Sequence, residues 1–396
     1  MSEILNYVNS IYDELVAIRR DIHAHPETGM KEFRTTELIR RELKEMGMDE
    51  IQEPLPTGTV GLLHGKKGPG KCVALRADID ALPVVEETGL PFSSVNEGVM
   101  HACGHDLHAT MLLGIAKTLC HMRDQFAGTV KFIFQPSEDL LPGGSRAMVE
   151  AGVMENPHVD AIFGMHVGPS ENDTIGTMNL YKGYYTTAVD LYEMTINGKG
   201  GHGSAPHTAD DAIVCAGYLI TALQQIVSRR VDPMDMAVFS IGMMDGGEAV
   251  NIITGKAHIS GVARYYSDTA RQTVMDNVKR ICEGVGIAFG CKVDLRIGEG
   301  YAATFNDSDL IDLIDRSVTA ELGAEKVRHL SQAFTGSEDF SFYSRLTGTP
   351  GAFVFIDAGH GESCVSLHNG KIVFDENVMK SGVAGMARVA MEYLKG

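Results

Sequence analysis

The chain has 396 residues, 44% of them hydrophobic, and a formal net charge of −18. That length exceeds what a single hydrophobic core usually supports, so two domains are expected. The acidic balance argues against a nucleic-acid partner, which would need clustered Lys and Arg, and no run of roughly 18 apolar residues suggests a membrane span.

The N-terminal stretch "MSEILNYVNSIYDELVAIRRDIHAHPE" is amphipathic and lacks the basic and apolar regions of a secretory signal. The seven cysteines (Cys72, Cys103, Cys120, Cys215, Cys282, Cys291, Cys364) are scattered without a CxxC pair, so a reducing cytoplasm is expected rather than a disulfide framework. In "HAHPETG", His23 and His25 are two apart before a proline and do not share a helix face, which argues against a metal site there.

"KCVALRADIDALPV" opens with a strand-like run, Cys72 to Leu75, and ends in Asp78 and Asp80. A helix over Asp106–Met122 follows, with Leu107, Met111, Ile115 and Leu119 at i, i+4. "GTVKFIFQPSED" repeats the first design with a buried-strand run from Val130 to Phe134, and "VDAIFGMHVGP" repeats it again with His166 at its end. Alternating strands and helices predict an open α/β sheet whose functional groups gather at the C-terminal strand ends.

The middle of the chain reads as strand, helix, strand, strand, helix, strand: Ala188–Ile196, Ala209–Ser228, Ala237–Met243, Ala257–Arg264, Thr269–Phe289 and Lys292–Ile297. That βαββαβ order predicts a small ferredoxin-like sandwich. "GAFVFIDAG" and a closing helix near Asn377–Leu394 then resume the first style. The expected architecture is a discontinuous α/β domain, residues 1–185 and 299–396, with an inserted domain over 186–298.

"MHACGHDLHA" concentrates a cysteine, three histidines and an aspartate in ten residues. Cys103 and His105 on a short loop can turn toward one point and suit a metal, but a cysteine nucleophile with its base and a set of structural histidines are also open. "QPSED" adds Glu138 and Asp139 at a strand end. Two adjacent carboxylates there can divide the work, one coordinating a cation and the other moving a proton. With His166 and His368 of "VSLHNG", the set suffices for two metals sharing a water.

"RADIDALPV", "HACGHDLHAT", "QPSED", "GMHV", "GGHGSAPH", "GSEDFSFY" and "SLHNG", in this order, resemble the amidohydrolase branch of the aminoacylase and carboxypeptidase G-type metallopeptidase family. The early "RRDIHAHPETGMKEFRTTE" extends the resemblance to nearly the whole chain. It implies a dinuclear α/β catalytic domain with an inserted lid and dimerisation domain, and hydrolysis of N-acyl or N-aroyl amino acids such as hippurate. Two divalent metal ions are implied, manganese or zinc foremost and nickel or cobalt also fitting.

By matching motif, the resemblance makes Cys103, His105, Asp139, His166 and His368 the ligands, with Cys103 bridging, and Glu138 the general base. Asp78 would orient a ligand or the base. His202 would donate to a tetrahedral oxyanion, reaching the site of a partner subunit in a homodimer, while Asn251 and Arg264 would bind the substrate carboxylate. No role is implied for Glu338 and Asp339.

The sequence departs from the family pattern twice. Asp139 stands where the family usually has Glu, and "LHNGKIVFDE" lacks the proline and aromatic that commonly follow the last histidine. A dipeptidase, an N-acetyl-diaminopimelate deacetylase and a catalytically silent metal-binding module on the same fold are the competing readings. Glu138 speaks against the last, because a binding protein needs no base beside its ligands.

Overall fold

Four apolar runs, Cys72–Asp78, Thr129–Gln135, Ala161–Gly168 and Gly351–Asp357, are buried almost throughout. Strands covered on both faces read this way, because neither side alternates with solvent. The computed structural model describes residues 2–359 and 365–395, so Cys364 lies outside the described residues. The four runs are mutually parallel at the centre of an eight-stranded mixed sheet. Its order is Glu50–Gln52, Thr59–His64, Thr129–Gln135, Cys72–Asp78, Ala161–Gly168, Gly351–Asp357, Met178–Leu180 and Val327–His329.

Because the central strands run the same way, the segments after Asp78, Gln135 and Gly168 leave the sheet at one edge. One face carries the helices His105–His121 and Val378–Tyr393, whose Leu112, Ile115, Val383 and Met386 join the main core. The other face carries Ser145–Glu150 and Ser341–Thr347 over a second cluster that includes Ile133, Tyr343 and Phe353. Lys131 is buried within the sheet, and its Nζ donates to the carbonyls of Val153, Glu155 and Pro157 at 2.8, 2.9 and 3.0 Å. All three ammonium protons are thereby satisfied, which is what permits a lysine there.

The chain divides into two compact units: residues 1–185, 304–333 and 339–396 form one, and 186–303 with 334–338 form the other. The second unit has an antiparallel sheet in the order Ala237–Gly246, Lys256–Tyr265, Ala188–Asn197 and Lys292–Glu299, with the helices Ala212–Leu223 and Asp268–Ala288 packed on it. This is the βαββαβ order expected from the sequence. Its bounds run further than 298, because Gly300 and Tyr301 pair with Val189, and the Thr187 N–H donates to the carbonyl of Gly336.

The first helix of this unit differs from its expected span of 209–228. Asp211 accepts from the N–H groups of Ile213 and Val214 and starts the helix at Ala212, and a short separate helix, Gln225–Arg229, follows it. The stretch Ala212–Arg229, with a mean hydropathy of 1.3, is long and apolar enough to cross a membrane by composition. One face lies in the unit's core through Cys215, Ala216, Leu219 and Leu223, while Ile213, Val214 and Tyr218 are exposed, so packing on the sheet accounts for part of this apolarity.

Gly104 shows what the loop before the His105–His121 helix requires. Its φ is 90°, and a Cβ there would lie 2.3 Å from Val167 Cγ2. Gly104→Ala is expected to cost on the order of 1–3 kcal/mol, read as a lowered denaturation midpoint with a parallel drop in bound metal.

Candidate metal centre

Gly104 turns the chain between Cys103 and His105, so that both side chains face the strand carrying His166. Cys103 Sγ lies 3.4 Å from His166 Nε2 and 3.3 Å from His368 Nε2. His368 is placed by its own N–H, which donates to the carbonyl of Ala102 at 2.9 Å, and its φ is 65°. Asp139 Oδ1 is 3.4 Å from His368 Nε2, and Asp139 Oδ2 is 3.9 Å from His105 Nε2. The shorter carboxylate therefore still reaches the cluster. Glu138 Oε2 stands 3.9 Å from His105 Nε2.

The hydrogen bonds behind the imidazoles fix their tautomers. His105 Nδ1–H donates to the carbonyl and the carboxylate of Asp80 at 3.0 and 3.1 Å. His166 Nδ1–H donates to the carbonyl of Val167 at 2.6 Å. Both Nε2 lone pairs are thereby turned inward. Donor atoms of Cys103, His105 and His166 lie within 4.8 Å of one another, and so do those of Cys103, Asp139 and His368. The two groups share one sulfur.

This donor set fits divalent cations. His105 Nε2 and Asp139 Oδ2 are buried without a hydrogen-bond partner among the described residues, and each such orphan costs ~1–3 kcal/mol unless something binds it. Burial, reinforced by the Asp139 carboxylate, pushes the Cys103 thiol well above its ordinary range. Burial and the neighbouring Asp80 carboxylate also raise Asp139, although His105 opposes them. A cation at the shared sulfur relieves both and favours the thiolate.

Asp80 does more here than its place in the sequence indicated. Its Oδ1 accepts from the Glu138 N–H and its Oδ2 from the Asp139 N–H, each at 3.0 Å, in addition to the bond from His105. Asp78, expected to orient a ligand or the base, is occupied differently: it accepts from His108 Nδ1–H at 2.6 Å and from Arg76 Nη1 at 2.8 Å. Asp78 Oδ2 is 3.7 Å from His105 Nε2. Burial opposes its ionisation, but His105, His108 and Arg76 together hold it well below the usual carboxylate range. His108 also accepts from the Val167 N–H at 2.8 Å, so both its nitrogens are committed.

Other expected or undecided residues fall outside the cluster. His23 lies between Asp106 and Glu86, at 2.8 and 3.3 Å, and His25 Nδ1–H donates to the carbonyl of Asp21. His101 is buried, which pushes it down to about 4. Asp339 is buried and accepts from Arg76 Nη2 at 2.7 Å, Gln135 Nε2 at 2.8 Å and the Ser145 N–H at 2.9 Å.

In the second unit, His202 and Asn251 come together although 49 positions apart in sequence: Ile252 pairs with His202, and the Gly203 N–H donates to the carbonyl of Asn251. His202 Nδ1 accepts from the Ser204 N–H and hydroxyl at 3.2 and 2.8 Å, leaving the proton on Nε2. Arg264, on the Lys256–Tyr265 strand, donates from Nη1 to the carbonyl of Thr335 and to Ser337 Oγ at 3.1 and 2.8 Å.

Comparison with known proteins shows the family. An N-acyl-L-amino acid amidohydrolase of Geobacillus stearothermophilus is 41% identical over 77% of this chain and 81% of its own length. A hippurate hydrolase of Campylobacter jejuni is 37% identical over 99% of this chain and 100% of its own. The crystal structure of a Bacillus subtilis protein described as a dinuclear metal-binding peptidase of the M20 family superposes with a TM-score of 0.84 at 33% identity, covering 98% of this chain and 99% of that one. The profile of peptidase family M20/M25/M40 matches residues 74–392, and the chain belongs to that family.

Proposed function

We propose that this protein hydrolyses the amide bond of N-acyl or N-aroyl amino acids, releasing a carboxylic acid and a free amino acid. The observation that carries the proposal is the convergence of five ligand-type side chains from four separate segments of the chain with Glu138 beside them. Cys103, His105, Asp139, His166 and His368 would hold two divalent cations, manganese or zinc foremost. When bound, these supply Lewis acidity at the acyl group and raise the acidity of the attacking water.

Glu138 takes the proton of that water and later delivers it to the departing amine nitrogen. Asp80 holds the Glu138 backbone and the His105 ring, and this support outweighs Asp78 as the orienting group. His202 carries its proton on Nε2, the state needed to donate to an oxyanion. Arg264 and Asn251 are assigned to the substrate carboxylate, for which a guanidinium is suited.

A homodimer is proposed through the second unit. Its Ala212–Leu223 helix exposes Ile213, Val214 and Tyr218, and Ala237–Gly246 is an edge strand with Met243 and Met244 exposed. An exposed apolar helix beside an unpaired strand edge suits a self-complementary contact. All six described cysteines are free, which supports a reducing, cytoplasmic setting.

Amine release from N-acetyl, N-benzoyl and longer N-acyl amino acids is expected to vanish on chelation and to return on reloading with manganese or zinc. Alkylation-sensitive cleavage without metal would instead assign Cys103 as nucleophile. Glu138→Gln is expected to keep its metal content and lose ~10²–10⁴-fold in kcat; unchanged turnover would refute the base. Tyr218→Glu is expected to shift the sedimentation coefficient from that of a dimer to that of a monomer, and an unaltered dimer would place the contact elsewhere.

A further inference from the structure

Glu32 is wholly buried, and one of its oxygens does two things. Oε1 accepts from the Ser137 N–H at 2.8 Å and from the Met30 N–H at 3.0 Å. Both donors belong to non-glycine residues in the left-handed region, with φ of 57° at Ser137 and 60° at Met30. Residues with a Cβ avoid that region, and they persist in it where the surroundings over-determine the backbone.

Ser137 directly precedes Glu138. Its carbonyl accepts from the Gly144 N–H at 2.8 Å, while the next two N–H groups, of Glu138 and Asp139, are taken by Asp80. The approach from the N-terminal segment is close: a Cβ on Gly29 would lie 2.6 Å from Ser137 Oγ. The backbone from Ser137 to Asp139 is thus held at each of its N–H groups and at the Ser137 carbonyl. Glu32 supplies the first of those holds from a segment more than 100 residues away in sequence.

We propose that Glu32 is a positioning residue: by binding the Ser137 N–H it fixes the left-handed turn that aims the Glu138 carboxylate. The inference rests on the reading of Glu138 as the base. Glu32 hydrogen-bonds none of the proposed ligand side chains among the described residues, and the role assigned to it runs through the Ser137 turn. It also gives the "HPETGMKE" segment a part in the reaction that metal ligation did not.

The test uses full-length protein reloaded with manganese, with N-benzoylglycine and the best N-acyl substrate as probes. Glu32→Leu is expected to lower kcat by about 10²-fold, the effect of a small misplacement at the reacting centre, with KM and metal content unchanged. Glu32→Gln, which keeps an accepting oxygen, is expected to stay within about threefold of the parent. Ser137→Gly added to Glu32→Leu is expected to recover about tenfold or more, measured against Ser137→Gly alone, because glycine enters the left-handed region without help.

A loss of metal matching the loss of kcat, or no recovery with Ser137→Gly, would overturn the proposal. Should Glu32→Leu not fold, a folded and metal-replete Glu32→Gln with kcat reduced by about 10²-fold would overturn it equally. An active Glu138→Gln removes the base on which the proposal depends. An inactive Glu138→Gln beside a fully active Glu32→Leu rejects the role of Glu32 alone.

Discussion

The two oxygens of Asp80 are the point on which the metal centre depends. One carboxylate accepts from the N–H of Glu138, the N–H of Asp139 and Nδ1–H of His105. It therefore fixes the loop after one strand to the start of the His105–His121 helix, and sets which nitrogen of His105 faces the cluster. A carboxylate held by several donors is itself locked, and so can hold others. The parallel strands make this possible, because Asp80 and the Glu138–Asp139 pair leave neighbouring strands at the same edge of the sheet.

The same cluster is electrostatically incomplete on its own. Burial works against the ionised forms of both Cys103 and Asp139, and Asp139 gains further opposition from Asp80. His166 is driven well below its ordinary range by burial and by His108, so it enters the site as a neutral ring with a lone pair to give. A neutral His166 ring, a thiol whose ionised form burial disfavours and a partnerless Asp139 oxygen together form a site that a cation would complete. Metal binding is consequently coupled to proton release and to the stability of the loops that carry the ligands.

The layered fold was legible in the sequence because it is written in period and run length. Buried strands appear as unbroken apolar runs, as at Val130–Phe134, and the βαββαβ order of the second unit appears as alternating patterns. The donor types were legible too: cysteine, histidine and paired carboxylates at strand ends are chemically unusual there. What could not be read was direction. Asp78 and Asp80 are two apart, and only the path of the chain past Asp78 decides that one meets Arg76 and His108 while the other meets His105. Glu32 carried no signal at all, since its partner Ser137 is distant in sequence and offers only a backbone N–H.

Three of the segments that supply the site pass through the left-handed region next to the residue they deliver: Gly104 between Cys103 and His105, Ser137 before Glu138, and His368 itself. Side chains arriving from several parallel strand ends must be turned back over the sheet edge to meet, and a left-handed residue reverses the chain in one step. Glycine does this freely at position 104, whereas Ser137 and His368 each carry a cost on the order of 1–2 kcal/mol. Each is also the residue whose N–H is captured from outside its own loop, Ser137 by Glu32 and His368 by the carbonyl of Ala102. The strain and its restraint thus sit together at the positions where a shift of the backbone would move a donor atom, so the precision of the site is carried by main-chain hydrogen bonds as much as by the ligands themselves.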